Sequence, residues 1–447
     1  MQDKRQYLHA IFNAALAAVD PYSEVRNSVS INQGYLHIAG TTYDLNAFKR
    51  IVVVGAGKAT ARMALAVEAL LDDRIDTGLI IVKDGHTEKL SIIEHVESSH
   101  PVPGEAGVAA TRRIMKIMHA ADENTFVICL LSGGASALLV APVEGLSLQD
   151  KQQTTRLLLN AGATIAELNA VRKHLSLVKG GRLAQAAYPA QLLTLIVSDV
   201  LGDPLDVIAS GPTTADNSIF ADAWAVIEKY GLQEKLPQAV VDYLHGGIIG
   251  RHPETVRKSD PCMGRTQNVI IAGVNQAIAA AAEKATKLGF VTRVFSETLQ
   301  GEAREAAFLL AQAARAELAS LKPGERHCLL CGGETTVTVR GQGKGGRNQE
   351  FALAFALAIE GMKGISFLSA GTDGTDGPTD AAGALVDGRT AADARRMGIN
   401  PLSYLDNNDA YIFFQTYDAA SGARCHLKTG PTGTNVMDIQ IVLLSAD

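Results

Sequence analysis

From residue 50 onward, short aliphatic runs alternate with stretches in which apolar positions recur every three or four residues. The first pattern predicts buried strands and the second predicts helices with one apolar face. RIVVVGAGKATARMALAVEALL, from Arg50, reads as strand, tight turn and helix, and TGLIIVKDG as a second strand. HVESSHPVPGEAGVAATRRIMKIM predicts a short strand, a proline-shaped loop and a helix, and TFVICLLSGGASALL repeats the strand-turn-helix theme. Two capping boxes, Ser147 with Asp150 and Thr164 with Glu167, each announce a helix. QLLTLIVSDVLGD then gives a buried strand that ends in an acidic loop. This alternation predicts a parallel sheet covered by helices on both faces, with ligands at the carboxyl ends of the strands.

The pattern lapses across GGIIGRHPETVRKSDPCMGR, so residues 246–266 are expected to link an N-terminal domain over 1–245 to a C-terminal α/β domain over 267–447. After the lapse come the strand NVIIAG, a helix from about Asn275 to Leu288, the strand FVTRVFS and a helix across EAREAAFLLAQAARAELAS. HCLLCGGETTVTVR is expected to form a hairpin or two strand pieces, and DIQIVLLS a last strand. The expected fold is therefore two α/β domains, the first a Rossmann-like doubly wound parallel sheet and the second a mixed sheet.

Composition agrees with this division. At 447 residues the chain is too long for one core, and its aliphatic residues, alanine and single Trp suit helix-covered sheets. A net charge of -6 argues against a nucleic-acid footprint. No stretch approaches the ~20 apolar residues of a membrane span. The N-terminal MQDKRQYLHAIFNAALAAVD reads as an amphipathic helix rather than a signal peptide, so a cytoplasmic location is expected. Five scattered cysteines do not suggest a disulfide framework. Cys328 and Cys331 sit on a buried-strand pattern where residues three apart face opposite ways, which favours packing over redox or metal chemistry. No residue pattern fixes an oligomeric state, and a homo-oligomer stays open.

The candidate chemistry lies in the turns. Gly343, Lys344, Gly345, Gly346, Arg347 and Asn348 form a glycine-rich loop running into a helix, a combination suited to an anion. Arg347 adds a two-pronged donor. Gly55, Gly57 and Lys58 make a second such turn; Thr60 stands where a dinucleotide fingerprint has its third glycine, and no P-loop pattern is present. Ser99 and His100 enter a stiff proline loop. Ser132, Gly133, Gly134 and Ser136 lack the G-x-S-x-G nucleophile pattern and read as a backbone nest or a tight packing turn. Asp199 and Asp203 follow a buried strand, where either can hold Mg²⁺ or accept a proton. Glu334, Asp373 and Asp376 are further candidate metal ligands flanking the Arg347 loop.

Taken in order, VVVGAGKAT, SSHPVP, LLSGGASALL, NAVRKHLSLVKGGRLA, VSDVLGD, ASGPT, GGETTVTV, GKGGRNQE, SAGTDGTDGPTDAAG and TGPTGTNVMD resemble the class II glycerate 2-kinase family, whose C-terminal module is called MOFRL. The resemblance spans nearly the whole chain. It implies transfer of the γ-phosphoryl of ATP to the 2-hydroxyl of D-glycerate with Mg²⁺, giving 2-phosphoglycerate and ADP. It also implies an active site in a cleft between two α/β domains, with Lys58 and Arg347 as central residues. The alternative is an NAD(P)H-dependent hydroxypyruvate reductase, a label that has attached to this family; the incomplete cofactor fingerprint argues against it.

Overall fold

The computed structural model describes residues 4–446. The chain divides into two compact units, Pro21–Ala272 on one hand and Met1–Asp20 with Gly273–Asp447 on the other.

In the unit Pro21–Ala272, a small antiparallel meander comes first, formed by β1 (Ser30–Asn32), β2 (Tyr35–Ile38) and β3 (Thr41–Asp44). The main sheet comprises β4 (Arg50–Ala56), β5 (Thr77–Lys83), β6 (Ile93–Ser98), β7 (Thr125–Leu131), β8 (Gln191–Val197) and β9 (Thr266–Ala272). Its strand order is β6-β5-β4-β7-β8-β9, every pair parallel. The order reverses between β4 and β7, and crevices for ligands open at the carboxyl ends of strands on either side of such a point. Strands β4, β7 and β8 are buried almost throughout, which explains why they read as unbroken aliphatic runs rather than alternating ones. Both expected capping boxes form, starting the helices Leu148–Asn160 and Ile165–His174.

The other unit holds a mixed sheet. Its strands are β10 (Val291–Leu299), β11 (Arg326–Gly333), β12 (Ile365–Gly371), β13 (Gly383–Asp387), β14 (His426–Leu427) and β15 (Asp438–Ser445), in the order β10-β11-β15-β12-β13-β14. Only β10 and β11 run parallel; the remaining pairs are antiparallel. The helix Arg347–Ala358 buries Phe351 and Phe355, and both rings stack on Phe367 of β12.

Three expectations about the chain's organisation differ from this structure. The N-terminal helix Lys4–Ala17 belongs with the C-terminal unit, packing on the helix Val274–Lys287. The strand expected to open the second domain is β9, which completes the parallel sheet against β8, so the composition lapse lies inside the first unit. HCLLCGGETTVTVR makes one strand, not two. At Gly333 (φ +150°) the chain leaves the sheet, and only an isolated bridge from Thr336 to Glu302 follows before Arg347. All five cysteines are free and buried, and burial pushes the Cys328 and Cys331 thiols up to about 12, as packing residues require. Among the described residues no helix is long and apolar enough to cross a membrane.

Candidate functional site

At the carboxyl ends of β4 and β7, two turns lock together. Lys58 N donates to Gly133 O at 2.8 Å, Ala59 N donates to Ser132 Oγ at 3.0 Å, and Thr60 Oγ1 lies 3.0 Å from the same Ser132 oxygen. A Cβ on Gly57 (φ +143°) would stand 2.1 Å from Ser132 Oγ, and one on Gly55 2.3 Å from Leu130 O. These glycines and Ser132 therefore answer to the contact between the turns. The amides of Gly57, Lys58 and Ala59, which a dinucleotide fold turns to pyrophosphate, are engaged within the protein, so Gly55, Gly57 and Ser132 have a packing role at these turns, and Gly133 gives its carbonyl to Lys58. At Gly134 (φ +86°), an added Cβ would meet His100 Nε2 at 3.2 Å and Lys58 Cγ at 3.5 Å. Lys58, His100 and Gly134 are thus neighbours. Ser99 instead steadies the proline loop by donating to Val102 O at 2.9 Å.

Beyond Gly134, Ser136 sits among groups to which sequence reading assigned no role. Its carbonyl accepts from Lys179 Nζ at 2.9 Å and from Arg172 Nη2 at 3.4 Å. Its hydroxyl lies 3.0 Å from Ser210 Oγ, which reaches Asn169 Oδ1 at 3.0 Å. Ala209 and Ser210, in the ASGPT motif, both adopt left-handed backbone (φ +54° and +62°). Such strain costs of order 1–3 kcal/mol per residue and collects at functional sites. Lys179 Nζ holds the Ala209 carbonyl at 3.3 Å, and Asn169 holds the Ser210 side chain. Lys151 Nζ, also buried, donates to Leu175 O at 2.9 Å. The signal for these residues lay in NAVRKHLSLVKGG, where lysine and arginine resemble a solvated helix face until burial is known.

At the end of β8, Asp199 and Asp203 occupy an irregular loop. Asp203 is left-handed (φ +56°), and its Oδ1 is buried with no hydrogen-bond partner. A cavity of about 1080 Å³ in this unit lies elsewhere, against Arg112, Met115 and Tyr243, and no expected site residue lines it.

In the other unit, the loop 343–346 meets the helix Arg347–Ala358, but the positive end of that helix is already occupied. Asp376, fully buried, accepts from Asn348 N at 3.0 Å, Gln349 N at 2.9 Å and Gln349 Nε2 at 3.0 Å. A Cβ on Gly346 would lie 2.3 Å from Asp376 Cγ, while Gly343 packs on Asp409 and Gly345 against Ala410. Asn348 is buried and accepts from Ser369 Oγ at 2.6 Å. The glycines, Asn348 and Asp376 thus build the loop rather than an open anion cradle, and Asp376 is a helix cap where a metal ligand was expected. Burial pushes its carboxyl up to about 6, against the donors that favour its charge.

Arg347 also differs from expectation. Its fork grips buried Asp438, Nε to Oδ2 at 2.5 Å and Nη2 to Oδ1 at 2.9 Å, and Nη1 faces Glu334 at 3.0 Å. Burial works against its charge, but Asp438 and Glu334 more than compensate and hold the guanidinium above its ordinary range. Asp373 Oδ1 accepts from Thr375 N and Oγ1, both at 3.0 Å. Among the described residues, no group of three or more His, Cys, Asp or Glu side chains stands close enough to cage a metal.

Residues 7–245 match a domain of unknown function, DUF4147, and residues 327–438 match the MOFRL family. The chain is 43% identical to the D-glycerate 2-kinase of Thermotoga maritima over 399 residues, which is 88% of this chain and 91% of the relative. A protein of Agrobacterium vitis, named provisionally as a hydroxypyruvate reductase, is 39% identical over 443 residues, covering 98% of this chain and 94% of the relative. The crystal structure of a glycerate kinase from Thermotoga maritima superposes with a TM-score of 0.85 at 39% identity, covering 99% of this chain and 100% of that one. With DUF4147 matched over more than half its length, MOFRL following, and kinase relatives aligned along nearly all of it, this chain belongs to the class II glycerate kinase family.

Proposed function

We propose that the protein transfers the γ-phosphoryl of ATP to the 2-hydroxyl of D-glycerate, giving 2-phosphoglycerate and ADP. The observation that carries this reading against the reductase is the turn after β4. Lys58 and Ala59 give their amides to Gly133 and Ser132, and Thr60 fills the third-glycine position, so a dinucleotide's pyrophosphate has no backbone cradle there. Cationic and polar side chains at Gly134 suit a reaction governed by positioning and charge neutralisation.

In the transfer, the C2 hydroxyl oxygen bonds to the γ-phosphorus as the bond to the β,γ-bridging oxygen breaks, and the hydroxyl proton leaves. Lys58, with His100 beside it, is assigned to the charge on the transferring group. Asp199, just beyond β8, is assigned to receive the proton. Arg347, placed by Asp438 and Glu334, is assigned to neutralising negative charge on a substrate.

Mg²⁺, when bound with ATP, supplies further neutralisation of the phosphate oxygens. Mg²⁺ commonly takes one or two carboxylates plus phosphates and water, so a cage of three acids is not required. Asp203, with its unpartnered buried Oδ1, fits as a holder; Asp373, Glu334 and Asp376 already serve Thr375, Arg347 and the helix start. The test is ADP release by the purified protein, expected only with D-glycerate, ATP and a divalent cation together. Oxidation of NADH by hydroxypyruvate without any ATP-dependent product would replace this reading with the reductase.

A further inference from the structure

Lys151, Arg172 and Lys179 line one cavity of about 250 Å³ beside Ser136. Lys151 and Lys179 are 8% and 1% exposed. The partners of all three are backbone carbonyls: Leu175 O for Lys151, Ser136 O for Arg172, Ser136 O and Ala209 O for Lys179. Among the described residues, no carboxylate pairs with any of them. The neighbouring Lys173 contrasts with them, held by Asp206 at 3.3 Å and buried Asp216 at 3.0 Å.

Burying a charge without an opposite charge costs several kcal/mol. Burial, with Arg172 and Arg182 nearby, pulls the Lys151 ammonium down to about 7, and burial pulls Lys179 well below its usual range. An anion entering the cavity would supply the missing opposite charge. Asn169 Nδ2, buried behind Ser210, is a further donor without a partner.

We infer that the cavity walled by Lys151, Arg172 and Lys179 is the carboxylate subsite for the small hydroxy acid, an assignment that rests on the kinase reading above. The cavity lies below the ~300–1,000 Å³ typical of pockets for larger ligands, so it suits a three-carbon acid and not a nucleotide. Val102 and Val140 give it an apolar side against which the carbon chain can lie. Ser136, gripped by Arg172 and Lys179, is two residues along the same turn from Gly134, where Lys58 and His100 meet. An acid held by its carboxylate at the first point therefore presents its hydroxyls toward the second.

The test is calorimetric titration of the nucleotide-free full chain with D-glycerate and with glycerol, which keeps the hydroxyls but lacks the carboxylate. Wild type should bind glycerate and bind glycerol at least a hundredfold more weakly. Arg172→Gln and Lys151→Gln should each raise the Kd and KM for glycerate about tenfold or more, as loss of a charged hydrogen bond does. KM for ATP should stay within about twofold, a split that a purely structural role would not produce. Arg172→Lys, which keeps the charge, should recover part of the loss, and melting temperature controls for folding. Folded variants that bind glycerate like wild type, a wild type that binds glycerol equally well, or equal losses for glycerate and ATP would overturn the subsite. Failure of the kinase reading shows differently: wild type then binds glycerate without phosphorylating it, and the Kd comparison among variants still decides the cavity.

Discussion

Each unit encloses cationic side chains, yet the two neutralise them in opposite ways. In the mixed-sheet unit, Arg347 is clamped between Asp438 and Glu334, and Asp376 caps the helix that follows. In the parallel-sheet unit, buried Lys151 and Lys179 and half-buried Arg172 are held by carbonyls alone. A cation held by carboxylates is fixed in place but draws little further negative charge. Lysines enclosed without carboxylates gain most when an anion enters, because it stabilises their charged form. The first arrangement suits precise placement of one donor, the second recruitment of an acid.

Substituting the two central cations is the most forceful way to break this contrast. Lys58→Ala should lower kcat/KM by ~10³-fold, the scale of losing a cation that stabilises a transferring phosphoryl group, while leaving the melting temperature near wild type. Arg347→Lys should lose comparable activity and also stability, because lysine cannot keep the two-pronged grip on buried Asp438. The double variant, set beside the two singles, reads whether the two losses are independent. Steady-state kinetics with circular dichroism reads all three, and near-normal kcat/KM in both folded single variants would remove both residues from the mechanism.

A smaller effect separates helix cap from metal ligand at Asp376. Asp376→Ala strands the Asn348 and Gln349 amides and should destabilise the protein by ~1–3 kcal/mol, seen as a lower melting temperature, with the Mg²⁺ dependence of turnover unchanged. An increased Mg²⁺ requirement at unchanged stability would restore the metal role.

The smallest effect is a pH dependence of stability. Because burial raises the folded Asp376 pKa to about 6, above an unfolded value near ~3.9, the folded state holds this proton more tightly. The stability contributed by that proton is therefore gained as pH falls through about 6 toward 4 and is absent above. Wild type should improve relative to Asp376→Asn across that window, and parallel melting curves would count against the raised value.

Locally encoded features were legible in the sequence. The capping boxes at Ser147 and Thr164 and the buried strands of the parallel sheet depend on residues close in the chain, and they form as expected. Features set by distant contacts were not. The helix Lys4–Ala17 joins the unit that begins again at Gly273 through its packing on Val274–Lys287, which no local pattern records. Gly57 and Gly346 announce close approach, but only the structure shows that Ser132 and Asp376 are what approach. Lys151 and Lys179 look like solvent-facing lysines until their burial is seen.

The position of the new phosphate tests the central claim most directly. In a proton-coupled ³¹P NMR spectrum of the product from ATP, Mg²⁺ and D-glycerate, a phosphate on C2 couples to one hydrogen and gives a doublet, whereas a phosphate on C3 couples to two and gives a triplet. Transfer to the 2-hydroxyl predicts the doublet, growing as ATP is consumed. A triplet, or no phosphorylated acid at all, would contradict it.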